Sequence, residues 1–125
     1  MEIRKELFYT KSHEWVRFNA DGTATIGITP QGKELLKKIF FINLCDEGEV
    51  LSAGDIFGDV ETCCKGVFDL YAPIDGTVSC VNDELLDDPE KINDDPYGEW
   101  LVEFYDINKQ SARLLSAEEY EDFLK

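Results

Sequence analysis

The sequence predicts a mainly β fold of antiparallel strands, with a short internal helix and a second helix at the C-terminus. Three observations carry this. Short runs of β-branched and aromatic residues recur along the chain, separated by turns that contain Gly, Asp or Pro. Strands never alternate with long helical stretches, so no βαβ rhythm and no parallel sheet is expected. Two helix starts are legible: Thr29-Pro30, with threonine as cap and proline at the first helical position, and Ser116-Ala117-Glu118-Glu119, a capping box.

In chain order, Leu7 to Tyr9 reads as a lead-in strand and His13 to Phe18 as a strand. Asn19 to Gly22 is a turn, because Asp and Gly supply turn chemistry, and Thr23 to Ile28 is the partner strand. After Thr29-Pro30, Leu35, Leu36 and Ile39 recur at helical spacing and predict one apolar face. Ile39 to Leu44 switches to strand character. Cys45 to Asp55 is acidic and glycine-punctuated, with turns at Glu47-Gly48 and Ala53-Gly54-Asp55. Pro73 to Gly76 turns the chain, and Thr77 to Val81 returns as a strand. Asp21-Gly22-Thr23 and Asp75-Gly76-Thr77 read as echoes of one another. Asn82 to Asp95 is polar and holds a short helical piece before Pro96. Trp100 to Tyr105 is the last strand, and Ala117, Tyr120, Phe123 and Leu124 form the packing face of the last helix.

The 125 residues are most simply one domain, 1–125. The net charge of −15 argues against nucleic acid and anionic membrane as partners and favours encounter with basic protein surfaces. No apolar run reaches membrane-spanning length and no secretory signal is legible. Cys45, Cys63, Cys64 and Cys80 form no C-x-x-C pair and only His13 could join them, so structural zinc is not expected. All four read as reduced thiols in an intracellular compartment.

Between Val60 and Pro73 two β-prone segments flank Lys65, which is followed at once by Gly66. A glycine there supplies the positive φ of a tight hairpin. A lysine at its tip is a solvated amine, open to an acylating enzyme. Cys63 and Cys64 beside it invite a redox reading. The expectation adopted is that one faces the core and the other fills the loop.

The order and spacing of six blocks resemble the glycine cleavage H-protein family along nearly the whole chain. They are Y-T-K-S-H-E-W-V (Tyr9 to Val16), D-G-T-A-T-I-G-I-T (Asp21 to Thr29), G-D-I-F-G-D-V-E (Gly54 to Glu61), K-G-V-F-D-L-Y-A-P-I-D-G-T-V (Lys65 to Val78), V-N-D-E-L (Val81 to Leu85) and I-N-D-D-P-Y-G-E-W-L (Ile92 to Leu101). The resemblance implies a lipoyl-domain-like fold, a flattened β-barrel or sandwich hybrid of two small antiparallel sheets with the lysine hairpin at one end. It implies a carrier component rather than an enzyme, with lipoate amide-linked to Lys65. It implies three enzyme partners: glycine decarboxylase (P-protein), aminomethyltransferase (T-protein) and dihydrolipoyl dehydrogenase (L-protein). A lipoate ligase or lipoyl transferase would attach the cofactor. Ser12, Glu14 and Asp69 match positions that line the arm's groove, and they are expected to cradle the amine of the cargo. His13 is expected to be structural. A monomer is expected, in the cytoplasm of a bacterium or the mitochondrion or a related organelle of a eukaryote.

Three other readings stay open at this point: an H-like lipoyl carrier of another pathway, such as sulfur oxidation or a stress-linked modification system; a biotin carrier; and an unmodified binding module of the same fold. Biotinyl domains put methionine on both sides of the lysine, where Cys64 and Gly66 stand here. The family text at the lysine is E-S-V-K-A or a close variant, so E-T-C-C-K-G is one residue longer between Glu61 and Lys65. Val60 and Glu61 keep their spacing from Gly54-Asp55, and Asp69 to Pro73 keep theirs from Lys65. The extra residue is therefore expected in a bulge or widened turn at Thr62 to Cys64.

Overall fold

Alternating burial along short strands builds two antiparallel sheets. The computed structural model describes residues 2–111 and 113–125. The larger sheet has the order β1 (Phe8–Tyr9), β2 (Glu14–Phe18), β3 (Ala24–Ile28), β9 (Val102–Asn108), β8 (Asp75–Val81), β5 (Val50–Leu51). The smaller has the order β4 (Ile39–Leu44), β6 (Ile56–Thr62), β7 (Gly66–Tyr71). Among the described residues every strand pairing is antiparallel and the sheets do not close into a barrel. One apolar core joins them: Val16, Ile26, Val78 and Phe104 come from the larger sheet, and Ile42, Phe57, Val60 and Leu70 from the smaller. Each fully buried side chain of this size stabilises the fold by roughly 1.5–3 kcal/mol relative to exposure.

Helix α1 (Pro30–Leu36) starts as expected: Thr29 Oγ1 accepts from Gly32 N at 3.0 Å and Pro30 opens the helix. Its predicted apolar face is corrected by the structure. The helix stops at Leu36, with Lys37 at φ 65°, so Ile39 is carried into β4 and buried there. Leu35 is left 61% exposed. Residues 82–95 hold two short helices, α2 (Asp83–Asp87) and α3 (Lys91–Asp94), where one helical piece was expected. Gly76 is a strand residue packed on Phe104 rather than a turn residue, so the resemblance of Asp75-Gly76 to the Asp21-Gly22 turn is textual only. Strand β5 was not foreseen, because two residues are too short to show a period.

The C-terminal helix α4 (Ala117–Leu124) carries the capping box at Ser116 and Glu119. Of its predicted packing face, Ala117 and Tyr120 are buried, while Phe123 and Leu124 are partly exposed, Phe123 lying against His13 and Tyr120. Ala117 and Tyr120 join Leu7, Tyr9, Trp15 and Tyr97 in a second cluster, in which Tyr9 and Tyr120 stack at 4.5 Å. Trp15 sits opposite Gly27 across the β2–β3 ladder, and a Cβ on Gly27 would come within 2.4 Å of the indole. Gly27→Ala is therefore expected to displace the buried ring and lower stability by about 1–3 kcal/mol in urea denaturation. An unchanged midpoint would show that the indole has room to move.

Candidate functional site

Strands β6 and β7 pair in register from Gly58↔Leu70 to Thr62↔Gly66, which leaves Cys63, Cys64 and Lys65 as a three-residue loop. The turn is thus wider than a two-residue hairpin; the β6–β7 ladder next to it is regular, and the β4–β6 ladder shifts register between Ile39 and Phe41, opposite Thr62 and Glu61. Gly66 has φ 92°, in the region that favours glycine. Thr62 Oγ1 braces the loop: it accepts from Lys65 N at 2.9 Å and donates to Gly66 O at 3.0 Å. Cys63 N donates to Lys38 O at 3.1 Å, tying the loop to the residue just before β4. Lys65 is exposed. So are Cys63 and Cys64, which corrects the expectation that one of them faces the core. No core position is available, because the ladder ends at Thr62 and the loop projects beyond it.

Strand β7 is the outer strand of the small sheet. Beside it runs a groove of about 430 Å³. Lys65 and Phe68 to Tyr71 line one side, the α1 residues Gly32, Leu35 and Leu36 another, and Ser12 to Glu14 a third. All four predicted site residues, Ser12, Glu14, Lys65 and Asp69, therefore border one cavity. Its walls are otherwise mostly apolar. Exposed Leu35, an anomaly as a packing residue, is explained as groove wall.

At one wall lies a buried carboxylate. Glu14 is 2% exposed although it opens a strand. Ser12 Oγ donates to its Oε1 at 2.5 Å and Thr10 Oγ1 at 2.6 Å. Thr10 Oγ1 also accepts from Glu14 N at 3.0 Å, and His13 adopts φ 69° between them. Burial pushes the Glu14 carboxyl up to about 7; the bonds from Ser12 and Thr10 and the backbone amide of Tyr71 hold it from rising further. Burial lowers His13 below its ordinary value.

The Glu14 shift has a consequence for stability. Between the ordinary value of 4.5 and about 7, the folded protein holds a proton that the unfolded chain has released. The stabilisation this gives is complete below the lower value and is lost as pH rises through the upper one. Glu14→Gln removes the dependence. Its stability relative to wild type is expected to climb between those two values, by a total on the order of 3 kcal/mol. Thermal denaturation across that range checks this. A constant difference between the two proteins would contradict the buried, proton-binding state of Glu14.

Sequence reasoning missed three supports of the site. Thr10 lies in the Tyr9 to Val16 stretch, but nothing in the sequence marks it as a partner of Glu14. Tyr120 reaches in from α4, where His13 Nδ1 lies 2.6 Å and Thr29 Oγ1 2.9 Å from its hydroxyl. Gly32 lets α1 approach His13, just before β2, since a Cβ there would lie 2.8 Å from His13 Cβ. The last two contacts span many residues in sequence, and no local pattern announces them.

A β-fold that lifts one exposed lysine over a groove with a buried carboxylate has the layout of a carrier. The comparisons agree. The family model described as glycine cleavage H-protein matches residues 7–125. A protein of Lachnoclostridium phytofermentans named glycine cleavage system H protein is 46% identical over 125 residues, covering 100% of this chain and 97% of the relative. A probable glycine cleavage system H protein of Pyrococcus horikoshii is 39% identical over 126 residues, covering 99% of this chain and 93% of the relative. The crystal structure of a glycine cleavage system H protein from Mycobacterium marinum matches with a TM-score of 0.87 at 36% identity, covering 96% of this chain and 97% of that one. The chain belongs to the glycine cleavage H-protein family.

Proposed function

We propose that this chain is the lipoyl carrier of glycine cleavage, with lipoate amide-linked to Lys65. In this role it moves the aminomethyl group of glycine among glycine decarboxylase, aminomethyltransferase and dihydrolipoyl dehydrogenase. The observation that carries the reading is that exposed Lys65 and buried Glu14 border the same groove. Family membership supports it.

The residues fit the group. Leu35, Leu36, Phe68 and Leu70 offer an apolar path for an alkyl arm, and the cavity of about 430 Å³ is of ligand size. When bound, lipoate supplies a dithiolane whose sulfurs accept and release the one-carbon amine and cycle between disulfide and dithiol. The chain's own residues position and protect. Lys65 presents its amine on a braced turn, where a lipoate ligase or lipoyl transferase can reach it. Glu14, with Ser12 and Thr10 fixed on Oε1, receives the cationic end of the cargo. An ammonium nearby favours the ionised carboxylate, so the cation draws the Glu14 proton off as it settles. Asp69 stands directly opposite Asp59 in the ladder, and a cation in the groove relieves the repulsion between like charges. The apolar walls keep water from the reactive carbon.

No described helix is long and apolar enough to cross a membrane. The test is reconstitution with the three partner enzymes. The lipoylated chain should support glycine-dependent NADH formation, and the unlipoylated chain should support none. Equal rates with both forms would overturn the carrier role.

A further inference from the structure

The loop that presents Lys65 carries a second reactive group. Cys63 and Cys64 are both free and exposed, and their sulfurs lie 3.1 Å apart. We propose that this pair is a reversible thiol–disulfide exchange site, closed by small-molecule disulfides of the glutathione class, and that closure rebuilds the turn around Lys65. The proposal holds whatever Lys65 carries.

Exposure selects these two thiols. Cys45 and Cys80 are half-buried, and burial pushes Cys45 up to about 11, which leaves it little thiolate. Cys63 is the attacking thiol. Its ordinary value is lowered, first by the hydrogen bond from the Cys64 thiol and further by Lys38 nearby. Its thiolate attacks one sulfur of glutathione disulfide. That S–S bond breaks, a Cys63–glutathione disulfide forms and one glutathione leaves. Cys64, deprotonated, then attacks the Cys63 sulfur and the second glutathione leaves. Two electrons pass from the cysteines to the glutathione pair, and the two cysteine protons end on the two released thiols.

The closed bond is reversible by construction. A disulfide between adjacent residues is strained, and strained, exposed disulfides are readily reduced. The ring is also transmitted to the backbone. It reorients the peptide between Cys63 and Cys64, whose flanks are held by Cys63 N to Lys38 O and by Lys65 N to Thr62 Oγ1. At least one of those bonds must give way.

The test uses the full chain without lipoate, equilibrated in a series of glutathione and glutathione disulfide mixtures and quenched with N-ethylmaleimide. The peptide spanning Cys63 and Cys64 should fall from two labels to none and lose two hydrogens. The Cys63 or Lys65 amide resonance should shift in step. Cys64→Ser should stop at the glutathione adduct. Two labels throughout the series, a stable glutathione adduct on the wild type, or closure without a shift of either amide would each overturn the proposal.

Discussion

Lys65→Arg is expected to abolish carrier activity completely and leave the fold unchanged. Lys65 is exposed on a loop whose bracing runs through its backbone and Thr62, not through its side chain. Arginine keeps the charge and the solvation at that place. It cannot form the amide, because the guanidinium stays protonated and is no acyl acceptor. The variant should therefore unfold at the wild-type urea midpoint, gain no mass with a lipoate ligase, and give no glycine-dependent NADH. Activity retained through lipoate on Lys33, Lys37 or Lys91 would move the arm off the hairpin and refute the site.

Glu14→Ala is expected to speed the release of formaldehyde and ammonia from the glycine-loaded carrier. The change deletes the buried acceptor and leaves the cationic amine without a partner. Such a loss costs roughly 1–3 kcal/mol, or about 5- to 150-fold in rate. Asp69→Asn should act in the same direction with a smaller effect, because Asp69 is exposed and water screens it. In the loaded wild type the ammonium holds the Glu14 carboxyl below its value in the empty chain, so release should quicken only as pH falls far enough below about 7 to protonate it. Glu14→Ala should lose that dependence. Decay of the loaded variant at the wild-type rate, with the wild-type pH profile, would remove Glu14 from the cradle.

Much of this was legible in the sequence, for physical reasons. Strand alternation, the Thr29-Pro30 cap and the Ser116 capping box are local signals, and local geometry honoured them. Lys65 was legible because its hairpin lies between two β-prone runs with a glycine at the turn. Other features depended on where the chain ended an element. Leu35 looked like core until α1 stopped after Leu36, which left it over the groove. One of Cys63 and Cys64 looked like packing until the ladder closed at Thr62↔Gly66 and set both outside it. Glu14 drew attention by its neighbours, but its burial comes from β2 packing beneath the groove, which strand periodicity does not show. The contacts of Tyr120 with His13 and Thr29 belong to the docking of α4, and only the folded chain reveals them.

The central claim is that Lys65 is the attachment point of the arm. Peptide mapping of the full chain after treatment with lipoate and a lipoate ligase tests it most directly. One lipoyl group is expected, on the peptide containing Lys65 and on no other. A lipoyl group on any other lysine with Lys65 unmodified, or no lipoyl group at all on the folded chain, would contradict the account.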